Sequence, residues 1–576
     1  MSTSSAAPAG AEDHSGEYTH AQILTILSGL MLGMFLAALD QTIVSTAIRT
    51  IADDLHGLSL QAWATTAYLI TSTITTPIYG KLGDLWGRKK LFMFAITVFI
   101  IGSVLCSFAN SMYMLAAFRA FQGLGAGGLM TLVLAIIGDI VSPRERAKYT
   151  GYFMATFGTS SVLGPVIGGF LAGTTSILGI TGWRWVFLVN LPIGIVALAV
   201  VWKTLHVHHV RREARIDWGG AVALVICLVP LLTVLEQGQG WGWGSARSII
   251  LFAISAVGLV AFVVAERAMK LAALIPLKLF TIRPALITII ASLIVGAGLF
   301  GGMMLLPLYM QIVHGASPTR SGFLMLPMVA GMMTASIGSG KIISKTGKTR
   351  LFPIFGTLVM ALGMFLLTHV TADTPLWHVE IFMAVVGFGV GNSMQPLILT
   401  VQSAVPPTAI GVATSSATFF RQIGGTIAVA AFLTMLFNAV PGHMTSAFAE
   451  AQQTPQFKAA AAKALQEPRT SLDHRLATGD KSVVAGVTSD SSVINQLSPV
   501  LAHPIKQAFA KSMQPVFWCA TGLGLLACVV LLFMPEVELR QTSASAERGA
   551  AAKAAAAGPA GPPADPADEQ VDASVE

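Results

Sequence analysis

One carboxylate in this chain lies deep inside a long apolar run: Asp40, in the segment LDQTIVSTAI (39–48). Burying an ionised side chain in a bilayer is costly, which makes such a group a candidate for function. Arg119 stands in another apolar run, also seven residues from its end. Seven residues of helix rise about 10 Å, so the two lie at one depth. Two readings are open. The pair is either a static salt bridge locking two helices, or a coupling device. A carboxylate that alternates between apolar surroundings and a guanidinium can take up and release a proton, while the guanidinium stays charged.

Arg421, in FFRQIGG (419–425), is the third charge well inside a run. It can bind an anionic or carbonyl group of a cargo, or tie structurally to Gln395 or Gln422. Asp84, in GKLGDLWGRKK (80–90), lies at the end of a run among Lys81, Arg88, Lys89 and Lys90. A carboxylate there can cap the start of another helix, where free N–H groups and the dipole favour it. The helix beginning after Pro406-Pro407 is the natural partner. Asp139, Glu236 and Glu266 also lie near run ends.

Glycines form a second set: Gly80 and Gly87, then Gly123, Gly125, Gly127 and Gly128, then Gly158, Gly164, Gly168 and Gly169 with Pro165. They let helices approach closely and bend, as packing alone or, at Gly164–Pro165, as a flex point. Met303 and Met332 belong to a methionine-rich stretch suited either to an adaptable cavity wall or to packing. His206, His208 and His209 are spaced like metal ligands, but solvent-exposed histidines are the simpler reading. No nucleophile–base set, nucleotide loop or metal cluster appears, so neither an enzyme nor a cofactor is expected.

The elements that position these residues follow from composition. The chain is 54% hydrophobic and 11% charged, against about 25% charged for a soluble domain. Fourteen apolar runs suffice to span a bilayer: 23–47, 60–79, 91–109, 112–140, 150–173, 184–204, 218–235, 248–266, 284–313, 322–343, 351–369, 377–400, 410–437 and 514–534. The weakest is 218–235, which ends at Glu236. Loops after even-numbered runs hold nineteen Lys and Arg and the short odd loops four, which places the even loops and both termini in the cytoplasm. The net charge of +7 is thus a topology signal and not a nucleic-acid surface. The four cysteines lie in apolar runs, and residues 1–20 lack a signal peptide's basic start.

The expected organisation is an all-α polytopic membrane protein in five parts. These are a cytoplasmic tail (1–22), a six-helix half (23–204), a basic loop with two inserted helices (205–283), a second six-helix half (284–534) and a disordered tail (535–576). The second half carries an extracytoplasmic loop (438–513) long enough for one or two helices. The halves are suggested by a repeat: GKLGDLWGRKK (80–90) returns as GKIISKTGKTR (340–350), and QGLGAG (122–127) as VGFGVG (386–391). Membrane proteins built from such repeats bind cargo near the midplane, where the halves meet.

These motifs resemble those of a known family. GKLGDLWGRKK is similar to the signature loop of the major facilitator superfamily, departing from its commonest form at Leu85. RAFQGLGAGG (119–128) and GTSSVLGPVIGG (158–169) resemble its fourth-span motif and its fifth-span antiporter motif. LDQTIVSTAI, WRWVFLVNLPIG (183–194) and LPLYMQIVHGASPTRSGFLMLP (306–327) resemble the fourteen-span drug:proton antiporters of the EmrB/QacA type. The resemblance implies a monomeric, multi-pass inner-membrane exporter of lipophilic small molecules, driven by the proton gradient through alternating access. An exporter of a lipid or dedicated secondary metabolite is the alternative, and a solute:proton symporter a lesser one. Proton coupling then falls to Asp40 and Arg119. Gating falls to Gly80, Asp84, Gly87, Arg88, Gly164, Pro165, Gly168 and Gly169, and the cargo cavity to Arg421, Gln395, Met303 and Met332.

Overall fold

The computed structural model describes residues 19–56, 61–205, 217–269, 272–466, 468, 471–478, 494 and 496–539. The His206, His208 and His209 triplet, most of both tails and the middle of the expected outer loop lie outside them, as do the side chains of Met303 and Glu236.

Long helices carry the architecture. In chain order they are α1 (His20–Asp54), α2 (Gln61–Trp86), α3 (Arg88–Ser107), α4 (Met112–Ile140) and α5 (Pro143–Gly173). The short α6 (Trp185–Leu188) leads into α7 (Asn190–Thr204), followed by α8 (Trp218–Trp241), α9 (Ala246–Met269) and α10 (Arg283–Ile312). Then come α11 (Pro318–Leu324), α12 (Leu326–Thr346), α13 (Leu351–Leu367), α14 (Leu376–Ser403) and α15 (Ile410–Ala451). Two short helices, α16 (Pro455–Ala464) and α17 (Leu472–Ala477), precede α18 (Pro499–Leu532).

Twelve segments among the described residues are long and apolar enough to cross a membrane. α2, rich in threonine, and the shorter α13 occupy the other two expected stretches. Among the described residues the strands form a single hairpin, Ser176–Ile177 with Ile180–Thr181, turned at Leu178 and Gly179 with φ of 52° and 78°.

Helix starts are capped as their sequences suggest. Ser142 accepts from the Glu145 N–H with Pro143 following it, and Asp217 accepts from the Gly220 N–H at 2.6 Å. Both reversals at the repeated loop turn on a glycine with positive φ: Gly87 between α2 and α3 has φ 94°, and Gly347 after α12 has φ 71°, conformations that glycine adopts without strain.

Two boundaries differ from expectation. α8 continues past Glu236 to Trp241. The stretch 438–513 begins and ends inside helices, because α15 runs to Ala451 through Pro441 and α18 starts at Pro499. Val440, Met444 and Ala447 of α15 and Leu501, Ile505 and Ala508 of α18 are buried in one core where the two helices pack, and His443 Nδ1 lies 2.9 Å from Ser512 Oγ. Tertiary packing overrides the proline and the mixed composition there.

α4 lies between α2 and α3, α1 packs on α5 and α7, and α3 on α7. Likewise α14 lies between α12 and α13, and α10 packs on α15 and α18. The two groups meet where α5 packs on α12 and α2 on α15, and α8 reaches α2 and α15 from outside. The ends joined by the Lys/Arg-bearing loops are called the basic face below.

Candidate functional site

The glycine runs position the charges. Gly123 and Gly127 press on α2 at Tyr68, Thr71, Ser72 and Thr75, and Gly125 presses on α3, where a Cβ would stand 2.5 Å from Ala95 O and 2.7 Å from Phe99 N. Gly102 does the same for α3 on α4: a Cβ there would meet Gln122 Cα at 2.6 Å. Only such close contacts bring α1, α2, α3, α4 and α7 near enough for short polar side chains to touch.

At their meeting point is a closed polar cluster. Asp40 and Arg119 are 0% and 1% exposed. Asp40 Oδ2 accepts from Arg119 Nη1 at 2.6 Å, while Oδ1 accepts from Gln122 Nε2 at 2.9 Å and Asn190 Nδ2 at 2.7 Å. Every partner of Asp40 is a donor, the pattern a carboxylate requires. The same Arg119 nitrogen also donates to Gln122 Oε1 at 2.7 Å, its Nε donates to Ala64 O at 3.2 Å, and its guanidinium lies 4.1 Å above the Tyr68 ring. Ser103 Oγ receives both Gln122 Nε2 and Asn190 Nδ2, at 3.0 and 2.8 Å, and donates to Phe187 O at 3.1 Å. The expected pair therefore exists, as a direct ion pair.

A second cluster occupies the basic face. Asp84 Oδ2 accepts from the Val412 N–H at 3.2 Å, at the start of α15, and Oδ1 accepts from Arg88 Nη2 at 2.8 Å. Arg88 Nε lies 3.0 Å from Asp139 Oδ2, and Arg88 Nη1 donates to Ala135 O. Gly80 allows the approach, since a Cβ on it would meet Ser415. Beside this, Arg146 donates to Gln402 Oε1 across the seam between α5 and α14, and to Gly138 O and Val141 O at 3.0 and 2.9 Å. Gln402 Nε2 continues to Thr414 Oγ1 at 2.8 Å.

The remaining expected residues are dispersed. Gly164 and Gly168 face α1, where a Cβ on Gly168 would stand 2.8 Å from Ile43 O, and Thr42 Oγ1 donates to Ser160 O at 3.1 Å. Pro165 sits within the unbroken α5 against Gly322, and Gly169 is half-buried further along the same helix. Arg421 is half-buried on α15, and among the described residues it has no hydrogen-bond or ion-pair partner. Its neighbour Gln422 accepts from Thr76 Oγ1 at 3.3 Å, and Gln395 is buried on α14 without a bond to Arg421. Met332 is buried where α12 meets Gly391 of α14, a packing position.

Sequence reasoning missed the polar company of these charges. Gln122, Asn190, Ser103 and Tyr68 are neutral, and no charge census selects them. Asn190 lay within the quoted WRWVFLVNLPIG and Gln122 within QGLGAG, so an uncharged polar residue in an apolar run was the available signal. Arg146 and Gln402 were hidden because Arg146 counted only toward loop charge.

Three comparisons bear on the whole. The family model for the Major Facilitator Superfamily matches residues 30–429. The chain is 35% identical over 538 residues to the Multidrug transporter protein MdtP of Bacillus subtilis, covering 92% of this chain and 96% of that one. It is 32% identical over 524 residues to Multidrug resistance protein 3 of the same organism, covering 90% of this chain and 96% of that one. In fold it is similar to the proton:xylose symporter XylE, with TM-score 0.54 and 14% identity over 92% of this chain and 99% of that one.

Proposed function

This chain belongs to the major facilitator superfamily and is a transporter rather than an enzyme, and from that premise we propose that it exports lipophilic small molecules in exchange for protons. The observation that carries the reading is the Asp40–Arg119 pair, fully buried and surrounded by donors alone. A proton taken up by Asp40 neutralises it and weakens its hold on Arg119, which couples protonation to the contact between α1 and α4. Relatives named for multidrug transport and resistance support the export of drug-like small molecules.

In this reading fourteen helices cross the inner cell membrane as two six-helix halves with α8 and α9 between them, termini in the cytoplasm and the α16–α17 region outside. The basic face is then cytoplasmic, and the Asp84–Val412 and Arg146–Gln402 contacts hold that side shut. Gly80, Gly87 and Arg88 shape the closure, and the α1–α5 contact at Gly164, Pro165, Gly168 and Gly169 is where α5 flexes in alternating access. Arg421, without a partner among the described residues, favours a cargo carrying a carbonyl or an anionic group, including a lipid-like or secondary metabolite, and Gln395 and Met303 are further candidates for the cavity wall.

Inside-out vesicles test the mechanism. Proton release from the lumen on addition of a lipophilic cargo is expected; proton movement in the same direction as the cargo makes the protein a symporter instead. A reporter fused near residue 475 is expected to read as extracytoplasmic, and a cytoplasmic signal overturns the orientation.

A further inference from the structure

A crevice of about 480 Å³ lies between α8, α9, α15 and the linker at Ile275, Leu277 and Phe280, which joins α9 to α10 on the basic face. It arises from unequal packing. α8 and α9 touch closely at Gly258, where a Cβ would stand 2.5 Å from Cys227 N, and α8 rather than α9 makes the main contact with α2 and α15. α9 therefore stands off from α15, and the gap is walled by Leu228, Phe262, Ile275, Phe280, Phe420 and Ile423. Phe280 and Phe420 meet edge to face at 6.0 Å.

The wall offers little that is polar to orient a ligand. Its two polar side chains, Cys227 and Ser255, face each other at 3.9 Å. Specific small-molecule pockets of this size carry a few convergent polar groups, whereas this lining is almost wholly apolar, which suits a hydrocarbon chain. Cations follow the wall closely in the chain: Arg267 four residues after Val263 on α9, Lys278 next to Leu277, and Arg283 three residues after Phe280 are all exposed. The neighbouring carboxylates are turned inward: Glu266 accepts from the Leu274 and Ile275 N–H groups, each at 3.1 Å, and Asp217 caps α8. Glu266 thereby also holds in place the linker that forms one wall.

We propose that this crevice holds an acyl chain of an anionic membrane lipid, with its head group on the rim formed by Arg267, Lys278 and Arg283. An apolar slot with a cationic mouth matches a lipid tail with an anionic head and no other bilayer component as well. Its occupant touches α15 at Phe419 and Phe420, on the helix that also carries Val412 and Arg421, so the lipid acts as a wedge between the inserted pair and the helix that receives Asp84.

The test uses the full chain in nanodiscs of equal phosphatidylglycerol and phosphatidylcholine, released for native mass spectrometry. The wild type is expected to retain phosphatidylglycerol in preference. Arg267→Gln with Lys278→Gln is expected to erode that preference about fivefold per charge removed. Ala256→Trp, which fills the crevice from the exposed side of α9, is expected to lower retention of both lipids. Equal retention of the two lipids by the wild type, or retention unchanged in Ala256→Trp, overturns the proposal. Displacement of the retained lipid by a lipophilic export substrate also overturns it, by making the crevice a cargo site. None of these readouts depends on transport.

Discussion

Helices α4 and α14 are built alike and equipped differently. In α4, Gly123 and Gly127 face α2 while Gly125 faces α3; in α14, Gly387 and Gly391 face α12 while Gly389 faces α13. A Cβ on Gly125 would stand 2.5 Å from Ala95 O, and one on Gly389 2.6 Å from Gly356 O. The chemistry does not repeat. The α1–α7 region holds Asp40, Arg119, Gln122 and Asn190 in one buried network, whereas the α10–α18 region holds Arg421 without a partner among the described residues. Close packing is needed wherever three helices meet, so small residues recur with the fold. A buried ion pair carries a desolvation cost that packing does not require, so it does not recur with the fold.

The largest expected effect breaks the asymmetric part. Asp40→Asn is expected to abolish cargo-driven proton flux in inside-out vesicles while leaving a folded, membrane-inserted protein. Asparagine mimics the protonated side chain permanently and cannot cycle. Proton release at the wild-type rate in this variant would make Asp40 structural.

Next comes the shared part. Gly125→Val and Gly389→Val each force side-chain atoms onto a neighbouring helix backbone, an overpacking cost of about 1–3 kcal/mol or more. Similar losses of folded yield by fluorescence-detected size-exclusion are expected for both. A loss confined to Gly125→Val would show that the packing repeat is not energetically equivalent.

Asp84→Asn sharpens the comparison at the basic face, where one region reaches into the other. It removes a charge-assisted acceptor at the start of α15, and a hydrogen bond to a charged group contributes about 1.5–3 kcal/mol. Slower transport with retained expression is expected, along with faster thiol labelling of a cysteine placed at Ser403. Labelling at the wild-type rate would remove the latch.

The smallest effect belongs to Arg421→Gln. It is expected to raise KM for cargoes bearing a carbonyl or anionic group by several-fold, leaving proton coupling intact and KM for cargoes without an acceptor unchanged. A loss of coupling in this variant would place Arg421 in the proton path and erase the contrast between the two regions.

Much of this arrangement was legible in the residues. Asp40 and Arg119 stood out because few charges occur inside the apolar runs, and their equal depth suggested contact. Asp84 was matched to the helix after Pro406-Pro407, and the structure gives it the Val412 N–H. Sequence reading stopped short at neutral polar groups and helix ends. Gln122 and Asn190 carry no charge to count, and Pro441 with a mixed composition reads as a break when the packing partner on α18 is distant in the chain.

Apolar runs, loop charge and repeated glycines act locally, through hydrocarbon thickness, leaflet charge and helix contact. They determined by themselves that this is a polytopic helical membrane protein, and which charges must be explained. What only the tertiary structure decided is which groups meet. Arg119 turns to Asp40, Arg146 reaches Gln402 across 256 positions, and α9 leaves a crevice beside α15. Those outcomes depend on the angles and distances between helices far apart in sequence, set by packing at contacts that no single segment encodes.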